Sequence, residues 1–301
     1  ISPSLFSPLI GGVFVLTLAM SGLALSLVLG LHRAKPKPDW IEYGFIVLML
    51  GSVLALWLGL VLASLGWFSI ERLIAAVIIT TLGGSIIVRK RDGKLPRSLE
   101  LTRSSRAEAA LVILLMVGSL VYFRPHEFVL GAADAGVYVN MGAQIARSGS
   151  LLIHDEEIAK IDPAAAPGLF RELAASAAVR YYNYAGFYLS DSQPGLVIPQ
   201  FFAVQAVSIA IFDSMGGVWA GLYATPLWGL LGIAALYFFT RSLFGRRAAL
   251  LAAILLACTP TQVWFARYPT AEVLTQACLF AGLYALTRTL QQHLPLTGWG
   301  F

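Results

Sequence analysis

Charge is what this 301-residue chain has least of: Asp, Glu, Lys and Arg together make up 12% of it, against 58% hydrophobic residues. A soluble domain usually carries about a quarter charged residues, and a mean hydropathy of +0.76 leaves no water-soluble fold able to hide so much apolar surface. Cysteine is scarce too. The two present, Cys258 and Cys278, both lie in apolar runs, which excludes a disulfide framework and a zinc site and leaves them as core residues. No internal repeat relates one half of the chain to the other, and no charge sits at the middle of an apolar run, so the usual marks of a transporter site are missing. A signal-peptide pattern is missing as well; the chain opens at Ile1 without Met and closes in GWGF as if entering further apolar sequence, and it reads as a fragment or a processed product.

What is present is long apolar sequence. A bilayer core of roughly 30 Å needs about 20 such residues per helix, and runs occur near 9–31, 41–65, 70–88, 109–123, 217–240, 248–264 and 272–290. The expected fold is therefore an all-α polytopic membrane protein of about seven transmembrane helices. Residues 124–216 interrupt the series with nine acids, from Glu127 to Asp213, against five basic residues, and include the polar run HDEEIAKIDP. This divides the chain into an N-terminal three-helix block, 1–108, and a second block, 109–301, that carries 124–216 as an extramembrane loop.

Orientation follows from the basic residues, which favour short cytoplasmic loops. Arg33, Lys35 and Lys37 follow the first run, the series Arg89 to Arg106 follows the third, and Arg241, Arg246 and Arg247 stand in RSLFGRR. Those loops are expected to be cytoplasmic and 124–216 external. LVIPQFFAVQAVSIAIF, 196–212, is apolar enough to span, yet a full crossing would put RSLFGRR outside; it is expected to be a re-entrant or interfacial helix. Anionic lipid headgroups account for the pI of 9.3, and no nucleic-acid partner is needed.

Two polar points stand at the expected external edge. Asp134 is bracketed by Gly131, Ala132, Ala133, Ala135 and Gly136, small neighbours that leave room for a ligand. Tyr138, Met141, Gly142 and Ile145 then recur at helical spacing, so Asp134 lies at or near the start of a short amphipathic helix, as a reactive carboxylate or as a plain N-cap. In FARYPTAE, Arg267 and Glu272 flank Pro269; Glu272 opens the next helix, where the dipole favours an acid, and Arg267 could pair with it or with a lipid phosphate. Tyr181, Tyr182, Tyr184, Phe187 and Tyr188 form an aromatic cluster, read as an interfacial belt or as rings that stack on sugar faces. Gly51 and Gly59, and Gly217 and Gly221, are spaced for close helix packing.

Four features taken in order resemble the membrane-embedded C-type glycosyltransferases, the superfamily of protein O-mannosyltransferases and aminoarabinose transferases. They are an external acid after a span (Asp134 in DAGVYVNMGAQIARSG), a hydrophobic external helix entered through SQPGLVIPQFF, a span ending in RSLFGRR, and a span leading to FARYPTAE; together they cover about 109–290. The resemblance implies an inverting transfer of a sugar from a polyprenyl-phosphate lipid to an acceptor hydroxyl on the external face of a membrane, expected to be a bacterial cytoplasmic membrane. It implies Asp134 as the catalytic carboxylate, Glu272 as the acid on the metal or phosphate side, and Arg267 as a phosphate partner, with Tyr138 and Tyr188 as substrate-binding rings. Asp134 and Glu272 would hold any divalent cation, Mg or Mn. Many members carry paired acids where this chain has Asp134 followed by Ala135; His126, Glu127, His154, Asp155 and Glu156 are close in sequence, although a solvated loop is the simpler reading of 154–157. The competing reading is a non-catalytic assembly subunit of a larger membrane complex, built on a glycosyltransferase-like scaffold and contacting membrane lipids and complex partners.

Overall fold

A computed structural model describes residues 7–31, 36–93, 99–131, 133–162, 164–176, 179–184, 186–190 and 193–293, of which 7–9, 172–176, 179–181, 184, 190 and 292–293 are described as backbone only. Arg33, Lys35, Lys94, Arg97 and Ala132 of the charge and loop readings above, and the side chains of Arg180, Tyr181 and Tyr184, lie outside what is described.

The chain is an all-α polytopic membrane protein with one small sheet. Its first three helices are α1 (Ser7–Val28), α2 (Trp40–Ser64) and α3 (Ile70–Asp92). Local sequence sets their starts: Asp39 and Glu42 form a reciprocal capping box on α2, and the Ser69 hydroxyl caps α3. Glycine lets α1 and α2 touch backbone to backbone, since a Cβ at Gly22 would stand 1.8 Å from the Val47 carbonyl oxygen and one at Gly51 would stand 2.1 Å from that of Leu18. Gly59 and Gly221 likewise receive Val207 and Ile209, as their spacing suggested, whereas Gly217 meets nothing and supplies a positive φ of 78° at a turn.

The fourth helix, α4 (Arg106–Tyr122), starts at a second capping box, Ser105 with Glu108, and leads into the 124–216 segment. There follow α5 (Asp134–Ser148), β1 (Ile153–His154), two single-turn helices α6 (Glu156–Ala159) and α7 (Ala166–Leu169), β2 (Arg171–Ser176), β3 (Val179–Tyr184), β4 (Phe187–Ser190), β5 (Leu196–Pro199), α8 (Val204–Gly216) and the single-turn α9 (Val218–Gly221). The strands form a five-stranded antiparallel sheet in the order β1-β5-β4-β3-β2, an element that hydropathy did not register. Tyr182 pairs across to Leu189 and packs with it and Val197 in the sheet's own small core, so this ring belongs to neither a lipid belt nor a sugar platform. At 13 residues α8 is too short to cross a bilayer, and its residues Gln205 to Ile211 are all buried, as befits a helix folded back against the bundle.

The last helices are α10 (Ala224–Cys258), α11 (Pro260–Arg267) and α12 (Glu272–His293). Straight, the 35 residues of α10 would extend about 50 Å. Instead Gly245 takes φ 81° and ψ 175° in the middle of RSLFGRR, and the chain doubles back there. The reversal brings Gly229 against Ala266 and lets the Tyr122 hydroxyl donate to the Ala257 carbonyl at 3.0 Å. Among the described residues five helices are long and apolar enough to cross a membrane; α4, with 17 residues, is shorter, and the stretch from Val218 to Cys258 counts among the five as one. With α4 included and α10 divided at Gly245, the elements match by position the runs expected from hydropathy. A single hydrophobic cluster extends from Phe14 of α1 to Tyr284 of α12 and so includes residues of both blocks.

The two ends of the bundle differ sharply in chemistry. At one end Arg241 forms ion pairs with Asp39 (2.6 Å), Glu108 (2.8 Å) and Glu42. Arg246 also reaches Glu108, Tyr237 donates to Glu108 at 3.1 Å, Tyr284 donates to Glu42, and Ser104 donates to Asp39 at 2.8 Å. The three carboxylates are buried, and desolvated charge of this kind persists only where it is paired and hydrogen-bonded. Arg288 donates to the Pro36 carbonyl and Gln291 to that of Ser242, at the same end. At the other end lie the 124–216 segment, the α2–α3 turn and the start of α12: the Phe68 amide donates to Gly149, Leu151 to Ala63, and His126 to Arg267. The loops expected to share a side of the membrane therefore share an end of the bundle.

Candidate functional site

Asp134 is the first residue of α5, and its side chain is exposed. The N-cap position belongs to Ala133, which provides no side-chain cap and adopts φ 49° and ψ −119°. That conformation is unfavourable for a residue with a Cβ, at a cost on the order of 1–3 kcal/mol. Asp134 thus does no capping work; among the described residues its carboxylate makes no hydrogen bond or ion pair.

The surrounding loop is held closed from both sides. A Cβ at Gly136 would stand 2.0 Å from the Gly131 carbonyl oxygen, so the loop folds directly onto the first turn of α5. Asn140, one turn further on, donates from Nδ2 to Val129 at 3.0 Å and to Gly136 at 2.7 Å, joining the start of the loop to the helix that follows it. The strained Ala133 thus stands between these two contacts, directly before Asp134.

Glu272, exposed, opens α12 directly after the buried Pro269 and Thr270. The segment before it is bound to the loop that leads to Asp134: Arg267 Nε donates to the Arg124 carbonyl at 2.6 Å, and the His126 amide donates to the Arg267 carbonyl at 2.8 Å. Rings add to this junction, with His126 4.6 Å from Trp264 and Phe128 5.4 Å from Tyr268, centroid to centroid. Burial, and after it the Arg267 guanidinium, lower the pKa of the His126 imidazole below its ordinary value.

Tyr138, one turn after Asp134, links the two acids. Its ring stacks on Phe201 at 5.0 Å, and its phenol is pushed above its ordinary pKa by burial, then by the negative charge of Glu272, then by that of Asp134. One hydroxyl therefore lies within the field of both carboxylates. Tyr138 also lines a cleft of about 540 Å³ with Phe202, Gln205, Ala271, Thr275 and Cys278. The cleft is mostly apolar and follows α12 from Ala271 to Leu279. Phe202 is 93% exposed; on the wall Gln205 donates to the Thr225 hydroxyl at 2.9 Å, while its own buried carbonyl oxygen has no partner among the described residues.

Asp134, Tyr138, Glu272 and Arg267, named from sequence, are thus gathered at one end of the bundle. Tyr188 stands in β4 opposite Asn183 and Ile198, and among the described residues its side chain makes no ring contact or hydrogen bond. Among the described residues no group of three His, Cys, Asp or Glu side chains stands together in a way that could hold a metal ion. Asn140 and Gln205 escaped the sequence reading. Gln205 is the one amide of its apolar helix, a signal the sequence did offer, whereas Asn140 shares its amphipathic helix with Gln144 and had none.

The described family of dolichyl-phosphate-mannose-protein mannosyltransferases has a model that matches residues 192–301. This is a C-type glycosyltransferase family, and the matched stretch, about a third of the chain, takes in α8, the Gly245 reversal, Arg267 and Glu272 and begins beyond Asp134. No curated protein and no solved structure matches the chain.

Proposed function

We propose that this chain, similar over residues 192–301 to a membrane glycosyltransferase family, transfers a sugar from a polyprenyl-phosphate lipid to an acceptor hydroxyl at the end of the bundle that carries Asp134 and Glu272. The observation that carries the reading is the position of Tyr138, which feels both acids and lines the cleft beside them. That end is the external face in the orientation the basic loops favour. From Ala271 to Leu279 the cleft follows about two turns of α12, roughly 12 Å, an apolar trough suited to the first isoprene units of a lipid whose phosphate stays at the level of Glu272 and Arg267.

In the proposed reaction Asp134 takes the proton of the acceptor hydroxyl as its oxygen bonds to the anomeric carbon. The bond from that carbon to the phosphate oxygen breaks on the opposite face; its electron pair leaves with the phosphate, and the anomeric configuration inverts. Arg267, whose Nε is committed to Arg124, can offer its Nη groups to the phosphate, and the neutral Tyr138 phenol can donate a hydrogen bond to a substrate oxygen. Asp134 and Glu272 would hold a Mg²⁺ or Mn²⁺ ion if one is used, and such an ion would offset charge on the departing phosphate.

Reconstituted protein supplied with a polyprenyl-phosphate sugar tests this. Asp134→Asn should lower transfer by about 10²-fold or more with thermal stability unchanged, and undiminished turnover in that variant would overturn the assignment. In a Cys258→Ser background the same lipid should protect Cys278, on the cleft wall, from maleimide.

A further inference from the structure

A second groove, of about 310 Å³, lies at the same end of the bundle on the N-terminal block, lined by Leu62, Trp67, Arg72, Ala75, Ala76 and Ile79; it shares no residue with the cleft beside Tyr138. Arg72, Ala75, Ala76 and Ile79 repeat at the i, i+3, i+4, i+7 spacing of a single helix face. The two alanines keep that face hollow for about 10 Å along α3, between the guanidinium at its end and Ile79 below. Trp67 is exposed in the α2–α3 turn, where its main-chain carbonyl accepts a bond from Arg72 Nη1 at 3.2 Å and holds the guanidinium at the groove's mouth.

Arg72 forms no ion pair among the described residues. A guanidinium has five N–H donors, and the Trp67 carbonyl occupies only one of its groups. Protein buries only 22% of the α3 span, and Ile78, Ile79, Leu82, Ile86 and Ile87 are exposed along it, so this face looks onto acyl chains. An arginine without an acid partner, above an apolar hollow and beside an interfacial tryptophan, complements one kind of neighbour in both charge and polarity. We infer that the groove between α2 and α3 holds a glycerophospholipid of the adjoining leaflet, its phosphodiester on Arg72 and one acyl chain along Ala75, Ala76 and Ile79.

The test uses the full chain, purified in detergent, stripped of lipid and titrated with phosphatidylglycerol under native mass spectrometry. Arg72→Gln and Ala76→Leu, which fills the hollow and leaves the charge, should each weaken one bound lipid by about tenfold or more. Brominated phosphatidylglycerol should quench the fluorescence that distinguishes the wild type from Trp67→Phe, and this quenching should vanish in Arg72→Gln. Unchanged retention and quenching in Arg72→Gln would overturn the site. Equal competition by inorganic phosphate would mean that the headgroup charge alone is bound, and equal binding of diacylglycerol would mean the chain alone; either result also rejects a phospholipid seat.

Discussion

Replacing Arg241 with Met removes the one cation shared by three buried acids. In the folded chain its Nη1 lies 2.6 Å from Asp39 and 2.8 Å from Glu108, its Nη2 pairs with Glu42, and those carboxylate side chains are only 4%, 0% and 3% exposed. At an effective dielectric constant near 20 a unit-charge pair about 4 Å apart is worth roughly 4 kcal/mol before desolvation, and removing one partner of such a buried pair usually costs about 3–5 kcal/mol net. Three buried carboxylates would keep neutral hydrogen-bond donors but no cation apart from the half-exposed Arg246 on Glu108, which puts the expected loss near the upper end, about 5 kcal/mol. For a chain of this size that corresponds to a fall in Tm on the order of 10 °C. The assay is intrinsic-fluorescence melting in one detergent at one scan rate, because membrane proteins of this kind tend to unfold irreversibly. Adding Glu108→Gln to Arg241→Met should recover part of the loss, since one buried charge is then removed with its partner. A drop below about 1 kcal/mol, roughly 2–4 °C, would refute the reasoning and mean that water reaches the acids.

Three further outcomes bear on the Asp134 loop. Gly136→Ala places a methyl group on the Gly131 carbonyl, where backbone must move; transfer should fall by about tenfold or more and the loop's amides should exchange faster with deuterium. Ala133→Gly removes the strain at φ 49°, so stability should rise by about 1 kcal/mol, measured by the same melting assay, with transfer no better than wild type. His126 has a pKa lowered from 6.5, by burial first and then by Arg267. As pH falls through about 6.5 the unfolded chain takes up a proton before the folded one, so stability is full above that value and declines below it. His126→Gln should flatten this acid-side decline in a melting series from pH 7.5 to about 5.

Apolar runs made the transmembrane helices legible, because a bilayer imposes a length that a single stretch of sequence either meets or fails. Residues 196–212, expected from the charge bias of the loops to be one re-entrant or interfacial helix, are helical only from Val204 on; Leu196–Pro199 pair instead as strand β5 of the sheet. The reversal at Gly245 was legible because RSLFGRR interrupts two apolar runs. The sheet was not: β3 and β4 are short and rich in tyrosine, so they offer neither a helical period nor a clean alternation. The meeting of Asp39, Glu42, Glu108 and Arg241 was not legible, since it depends on how α2, α4 and α10 pack together. Asp134 was singled out by its small neighbours, but its release from capping depends on the φ of Ala133, which no composition reveals.

The same packing gives the N-terminal block a role at a distance. α5 is a 15-residue strut, roughly 22 Å long, whose first residue is Asp134 and whose far end is bolted to the α2–α3 turn through Gly149 to Phe68 and Leu151 to Ala63. Helices that contribute no side chain to the cleft, α2 and α3, therefore hold the far end of the helix whose first residue is Asp134.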